Sequence, residues 1–317
     1  MAAPASGANA KVAMKRETTY GVAASGNYVL VPAYSIELAP RQEFERQPLI
    51  GLGRQPVRPT RGIIEVTGTV ELPIDLRAIG HWLTMLLGLP ATSGSGPYTH
   101  VWSSTATALP SFTMEVQHVD LASPRYLRTV GVMANRAAFR FEPGGFPRLR
   151  LDLIGAAQSN ETTSAAGTPT ELAYTPFSNL QSLIKKDGSN WAKVLNSNIN
   201  YNNNLDLMRY VGGGGVVEDI VPGAIEIDGD ITLALADDSS LDLAEAATVF
   251  DLQIGWTGGA SQSFTIELDQ AELGRAGPPV NGGGRVEVTH EMVGSKDSSE
   301  GRALAITVVN DVTSYAV

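Results

Sequence analysis

Residues Gly62 to Leu72 (GIIEVTGTVEL) alternate apolar and polar with a period of two, so that Ile64, Val66, Val70 and Leu72 fall on one face and Glu65, Thr67, Thr69 and Glu71 on the other. Such alternation predicts a strand with one packed and one wet face. The pattern returns at Gly223 to Leu233 (GAIEIDGDITL), with Ile225, Ile227, Ile231 and Leu233 opposed to Glu226, Asp228, Asp230 and Thr232. A second match follows in the same order, PSFTMEV at Pro110 to Val116 against QSFTIEL at Gln262 to Leu268. Two collinear matches about 160 residues apart predict a duplicated domain rather than a short solenoid repeat. The expected division is an N-terminal arm (1–34), a first domain (35–158), a linker (159–172) centred on the small, polar run NETTSAAGTPT, and a second domain (173–317).

Further strands are predicted near 35–45, 110–117, 125–133, 136–142 and 147–154, and in the second copy near 197–207, 248–257, 262–269, 285–293 and 303–310. Each copy carries one helix. Asp75 is a good N-cap for a run with Ile79, Trp82, Leu83, Leu86 and Leu87 at helical spacing, closed by Gly88 and Pro90. A shorter helix opens at Asp238, Ser239 or Ser240 and carries Leu241, Leu243 and Ala247. The fold class is therefore mainly β, two tandem sandwich or barrel domains each flanked by one α-helix.

Composition narrows the function. The chain has 317 residues and no cysteine, which removes disulfides, zinc–thiolate sites and Cys nucleophiles and makes a reducing compartment the expected place of assembly. No apolar run reaches the roughly 18 residues of a membrane span. The N-terminal residues lack the continuous apolar stretch of a secretory signal. Charge divides unevenly: residues 1–158 hold 15 Lys/Arg and 11 Asp/Glu, residues 159–317 hold 8 and 22. An asymmetry of that size bears on association more than on fold.

Candidate chemistry is sparse. The four histidines (His81, His100, His118, His290) form no metal-ligand spacing, and neither a GxSxG elbow nor a phosphate loop occurs. The GGGG run at 212–215 lacks the Lys and Ser/Thr of a phosphate cradle and reads as a flexible loop. Glu226, Asp228 and Asp230 point the same way along a strand and are the one carboxylate cluster suited to a hard cation. The twelfth position of a calcium loop counted from Glu226 or Asp228 is Asp237 or Ser239, not Glu, so the cluster reads as a solvated acidic face. No catalytic residue, metal site or cofactor is expected.

The order of ETTYG (17–21), the GIIEVTGTVELP strand, the helix leading into LLGLP, YTHVW (98–102) and LPSFTMEV resembles the tail tube (major tail) proteins of long-tailed, non-contractile bacteriophages. The resemblance covers most of the first copy and reaches the second through the repeat. It implies rings that stack into the tube through which double-stranded DNA leaves the capsid. A chain with two such domains would close that ring as a trimer with pseudo-sixfold symmetry. The implied partners are further copies of the chain, a tape-measure protein, and tail-terminator and distal-tail proteins. The implied location is the virion tail, assembled in the host bacterial cytoplasm without a membrane.

On this reading the wet faces would line the channel with Glu65, Thr67, Thr69, Glu71, Glu226, Asp228 and Asp230, and basic side chains should be scarce there, because Lys and Arg hold phosphates. The resemblance also assigns ring stacking to the loop before the repeated strand. In the first copy this loop (47–61) carries Arg54, Arg58 and Arg61 with apolar Leu49, Ile50 and Leu52; in the second (208–222) it carries Glu218 and Asp219. A tandem β-sandwich module for carbohydrate or a receptor is the alternative, and it would show clustered exposed aromatics. An acid–base hydrolase is a weaker one, since any β-rich chain with 33 carboxylates offers chance pairs.

Overall fold

A computed structural model of the chain describes residues 4–51, 54–280 and 282–316. The first half contains β1 (Lys11–Arg16), β2 (Val29–Leu30), β3 (Ser35–Glu45), β4 (Thr60–Pro73), α1 (Ile79–Leu87), β5 (Ala91–Ser93), β6 (Tyr98–Ser103), β7 (Phe112–His118), β8 (Arg125–Phe141), β9 (Arg148–Gly155), β10 (Ala157–Glu161) and β11 (Thr170–Glu171). The second contains β12 (Ser182–Lys186), β13 (Ser189–Asn190), β14 (Val194–Asn202), β15 (Asp206–Met208), β16 (Asp219–Val221), β17 (Glu226–Ala234), α2 (Ser239–Glu245), β18 (Phe250–Gly259), β19 (Gln262–Leu273), β20 (Glu287–Ser295) and β21 (Leu304–Asn310). The chain is mainly β, as its alternation predicts.

Each half builds two layers. In the first, β3, β4, β9 and the C-terminal part of β8 form one antiparallel layer, and β1, β7, the N-terminal part of β8 and β10 form the other. The second half repeats these pairings, with β14, β17, β20 and the end of β19 in one layer and β12, β18, the start of β19 and β21 in the other. The register repeats too. Ile36 opposes Val70 as Ser197 opposes Ile231, and Val70 opposes Leu151 as Ile231 opposes His290. A register shift falls between Phe112 and Met114 in β7 and between Phe250 and Leu252 in β18.

Glycines recur at matching places for one reason. A Cβ on Gly68 would overlap the Glu37 carbonyl, and one on Gly229 would overlap the Asn198 carbonyl. Gly155 and Gly294 likewise leave room for the side chains of Val66 and Ile227. These strands approach too closely to accept a side chain at those points.

This register corrects one expectation. Met114 of β7 is the counterpart of Leu252 in β18, so the SFTMEV and SFTIEL segments, although similar, occupy non-equivalent strands. The offset between counterparts falls from 161 residues at Val70/Ile231 to 138 at Met114/Leu252, a shortening of 23 rather than the nine that the motif match implies. The β5–β6 hairpin, present only in the first half, takes up much of the difference.

The halves interlock. The four-stranded layers join edge to edge through β8 and β14, where Arg136–Phe141 runs antiparallel to Ser197–Asn202. The β6 strand pairs with β21, and the buried Tyr315 donates its hydroxyl to the Arg77 carbonyl at 2.7 Å. One core cluster therefore spans both halves, from Val70, Trp82 and Leu151 to Ile231, Trp256 and Ile306.

Segments expected outside the domains are also sheet. Residues 11–16 of the expected arm pair with β7, and residues 157–161, which run into the expected linker, pair with β8. The two strands expected near 125–133 and 136–142 are the single β8, bent at Gly131, which has φ +65°, and by a register shift between Ala134 and Arg136.

The second helix starts where expected, at Ser239, whereas α1 begins at Ile79 with Ala78 at its N-cap position, and the expected cap Asp75 acts from one turn upstream. Asp75 accepts the Arg77, Ala78 and Ile79 backbone N–H groups at 3.0 Å each, and α1 is buried along its whole length. In α2 only Ser240 and Ala244 are buried. Ala247, expected to pack, lies past the helix end, exposed and with φ +49°.

Candidate functional site

The joined layer presents one continuous polar face. Residues directly opposed across a strand pair share a face, so the register reads it off. Glu65, Thr67, Thr69 and Glu71 on β4 oppose Arg41, Ala39, Glu37 and Ser35 on β3, and the last three of them meet Ile154, Asp152 and Arg150 on β9. Asp152 and Arg150 oppose Arg136 and Ala138 on β8, which face Asn202 and Asn200 on β14. Those asparagines oppose Glu226 and Asp228, Asn198 opposes Asp230, and Glu291 on β20 continues the row beyond Asp230. The alternation behind this holds for most positions, with Val66, Val70, Leu72, Ile227, Ile231 and Leu233 buried and Glu65, Glu226 and Asp228 exposed, but Ile64 and Ile225 are only half-buried and Thr232, expected on the wet face, is buried against Thr289.

Electrostatically the face divides at the β8–β14 junction. The strands β14, β17, β19 and β20 contain no Lys or Arg. On the first-half side Arg41, Arg136, Arg140, Arg148 and Arg150 stand among Glu37, Glu65, Glu71 and Asp152. Arg148 pairs with Glu71 at 2.8 Å and Arg150 with Asp152 at 3.5 Å. The polar face thus lacks basic side chains on the strands of the second half and is mixed in charge in the first. The missed arginines lie on β8 and β9, whose side-chain direction depends on register rather than on local pattern. Asp228 accepts the Asn200 side-chain N–H at 2.7 Å, and among the described residues no group of three or more His, Asp or Glu is placed to hold a metal ion.

The two loops that precede the repeated strands differ. Arg54, Arg58 and Arg61 are exposed, as are the apolar Phe44, Leu49, Ile50 and Val57 nearby; Leu52 lies outside the described residues. The second loop is bracketed by the β15–β16 hairpin, with the GGGG run in the irregular connection between its arms. Its base packs Val217 and Ile220 against Met133 of the first half, Gly215 accepts the Ile64 N–H at 3.1 Å, and Arg209 pairs with Glu65 at 3.1 Å. Glu218 and Asp219 stay exposed, Asp219 inside β16, while Tyr210 and Val211 form an apolar tip.

His81, His100, His290 and Glu17 make contacts inside the fold. His81 is buried edge-on to Tyr315 at 5.1 Å, and burial alone pushes its pKa down to about 4. His100 hydrogen-bonds Thr92 and the Val312 carbonyl, and His290 lies between the Gly274 carbonyl and Ser240. Glu17, buried, accepts from Ser111 at 2.6 Å, Thr113 at 2.8 Å and the Gly131 N–H at 2.8 Å, so the ETTYG segment pins the N-terminal strand to β7 and β8. Trp82, Trp102 and Trp256 are buried and Trp191 packs edge-on to Phe250, so the tryptophans form no exposed platform of the kind a sugar-binding module would use.

A polar face carried on sheets that join edge to edge, indented where Glu71, Arg140, Arg148 and Arg150 line a cavity, is compatible with the wall of a tube. Comparison with known proteins agrees. No curated protein matches the chain significantly. The family described as phage tail tube protein matches residues 7–295, nearly the whole length, and the chain belongs to that family, as a structural component of the virion tail.

Proposed function

We propose that three copies of this chain close a ring with pseudo-sixfold symmetry, that the rings stack into the tail tube, and that double-stranded DNA passes through it during ejection without specific binding. The observation that carries this reading is the β8–β14 junction, which sets two equivalent four-stranded layers side by side within one chain. Three chains would supply about two dozen strands, more than the 16 to 18 that already leave an aqueous channel. The repeated register and repeated glycines support an origin by tandem duplication.

In this ring the polar face lines the channel, and three acidic sectors alternate with three of mixed charge. Glu226, Asp228 and Asp230 repel phosphate, while Glu71 and Asp152 partly neutralise the neighbouring arginines. The exposed loops around Arg54 and Arg58 and around Glu218 and Asp219, each with an apolar tip, meet the adjacent ring; opposite charges there select one rotational register. A tape-measure protein fills the growing channel, and terminator and distal-tail proteins cap its ends.

Negative-stain microscopy of the purified chain across a concentration series, alongside light scattering, tests the proposal. Rings with the mass of three chains, or hollow tubes, are expected, whereas rings of another copy number would refute the trimer. The double substitution Arg54→Glu with Arg58→Glu should leave trimers intact and impair stacking; normal tube growth would exclude this loop from the ring-to-ring contact.

A further inference from the structure

The internal junction carries a prediction about the contact between chains, which rests on the ring reading above. By register, β19 is the counterpart of β8 with an offset of 139, since Leu273 opposes Met292 as Ala134 opposes Leu153. Likewise β3 is the counterpart of β14 with an offset of 161. The stretch of β8 that meets β14, Arg136–Phe141, therefore corresponds to Arg275–Val280, beyond the end of β19. The stretch of β14 that receives it, Ser197–Asn202, corresponds to Ile36–Arg41 of β3, which pairs with β4 alone. Neither stretch has a strand partner at this edge within one chain; the Leu38 carbonyl there accepts the Gln158 side-chain N–H at 2.9 Å, a contact the docked copy would share or displace. Val280 is 75% exposed, although its counterpart Phe141 is 4% exposed and stacks on Trp256.

We infer that each chain docks Arg275–Val280 antiparallel onto Ile36–Arg41 of the next copy, with Gly277 opposite Ala39, and that prolines make this seam weaker than the internal junction it copies. The occupant is a second copy because the internal junction already shows one counterpart edge seated on the other. The contact is heterologous, so it closes a ring when the rotation closes.

The hydrogen-bond parity shows what the prolines remove. Asn203 donates its N–H to the Asn135 carbonyl at 2.8 Å, so Tyr201, Ile199 and Ser197 turn their backbone groups toward β8. At the seam, Pro40 replaces Tyr201 and Pro278 replaces Phe139, and each deletes one N–H aimed across it. Proline in the middle of β3 is tolerated because its nitrogen faces the open edge. The same residues blunt off-register pairing, which an eleven-residue edge strand would otherwise invite.

The chain has no cysteine, so an engineered pair reports on the seam without background. Ala39 and Gly277 are exposed, a Cβ on Gly277 meets nothing within 4 Å, and the parity makes theirs a non-hydrogen-bonded pair, the closer kind. Oxidised tubes of A39C/G277C should run as covalent dimers and trimers that reductant returns to monomer. An equal mixture of the two single variants should give dimers joining one of each. The A138C/N200C variant, at the corresponding internal pair, should cross-link within one chain and calibrates the geometry.

Assembled tubes with free thiols, or preferential cross-linking of the slipped pair A39C/R275C, would overturn the register. Absence of rings and tubes in the unsubstituted chain would overturn the ring reading instead, and microscopy separates the two cases. Pro278→Phe restores the missing donor and the ring of Phe139, and should lower the concentration for half-assembly several-fold; unchanged assembly would refute the weakening by proline.

Discussion

The two halves of this chain share a backbone and differ in their surfaces. Pairing order, opposed residues, the shift in β7 and β18 and the glycines at 68/229 and 155/294 all coincide. The polar face does not: arginines and carboxylates are mixed on one side of the β8–β14 junction, and the strands on the other side carry no Lys or Arg. The helices diverge as well, α1 being wholly buried and α2 only partly so. A one-residue slip would turn every core side chain to the wet face, so the devices that set register are kept in both halves. Charge on a solvated face alters stability little and can differ between them.

The comparison breaks most sharply at the shared glycines. Gly68→Val and Gly229→Val should each cost roughly 3 kcal/mol or more, because the added carbon meets a neighbouring carbonyl and the strand must move. Urea titration of the two variants checks this. If only one half proves sensitive, the equivalence of the strands as stability elements is lost.

Next in size is a pH effect confined to the first half. His81 has its pKa pushed down to about 4 by burial in α1, against about 6.5 when unfolded, so the unfolded state binds the proton more readily between those values. Stability should be complete above about pH 6.5 and fall by about 3 kcal/mol as pH drops through 4. His81→Leu should remove that part of the slope. An unchanged slope in thermal melts between pH 4 and 6.5 would assign the acid sensitivity to carboxylates.

The helix starts give a smaller contrast. Asp75 caps three N–H groups from a buried position, whereas Asp237, fully exposed, accepts the Ser239 N–H at 3.1 Å together with its hydroxyl. Asp75→Ala should cost about 2 kcal/mol, at the upper end for a cap. Asp237→Ala should cost less, because the groups it frees stay in water. Equal losses in denaturant melts would mean that burial adds nothing to the first cap.

How much of this was legible in the sequence follows from what each signal encodes. Period-two alternation located β4, β17 and most partner strands, and Asp75 with Gly88 bracketed α1, because these are local consequences of geometry and capping. Alternation says nothing about which strand lies alongside. That is why Ser263 to Glu267 resembled Ser111 to Glu115 while occupying a different place in the topology. It is also why the arginines of β8 and β9 went unassigned to the polar face. The short strand at Lys11–Arg16 owes its existence to a distant partner, β7, and carries little pattern of its own. The family was readable from the order of motifs in the first half, and the match over residues 7–295 bears it out.

The smallest expected effect concerns how the two helices end. Gly88 closes α1 with φ +88°, where glycine pays little, and donates its N–H to the Thr84 carbonyl at 3.0 Å. After α2 the left-handed position is held by Ala247 at φ +49°, followed by the Thr248 N–H bonded to the Leu243 carbonyl at 3.1 Å. An L-residue there bears a steric cost of about 1 kcal/mol that glycine avoids. Against it stands the greater freedom glycine gives the unfolded chain, which offsets part of the gain. Because Ala247 is exposed, no packing is lost. Ala247→Gly should therefore raise stability by about 0.5 kcal/mol, while Gly88→Ala should lower it by more, since the added carbon would also crowd the Ala106 side chain at 3.0 Å. Matched denaturant melts of the two variants, read as midpoints at constant slope, decide the sign; destabilisation by Ala247→Gly would mean that unfolded-state entropy outweighs the strain at the end of α2.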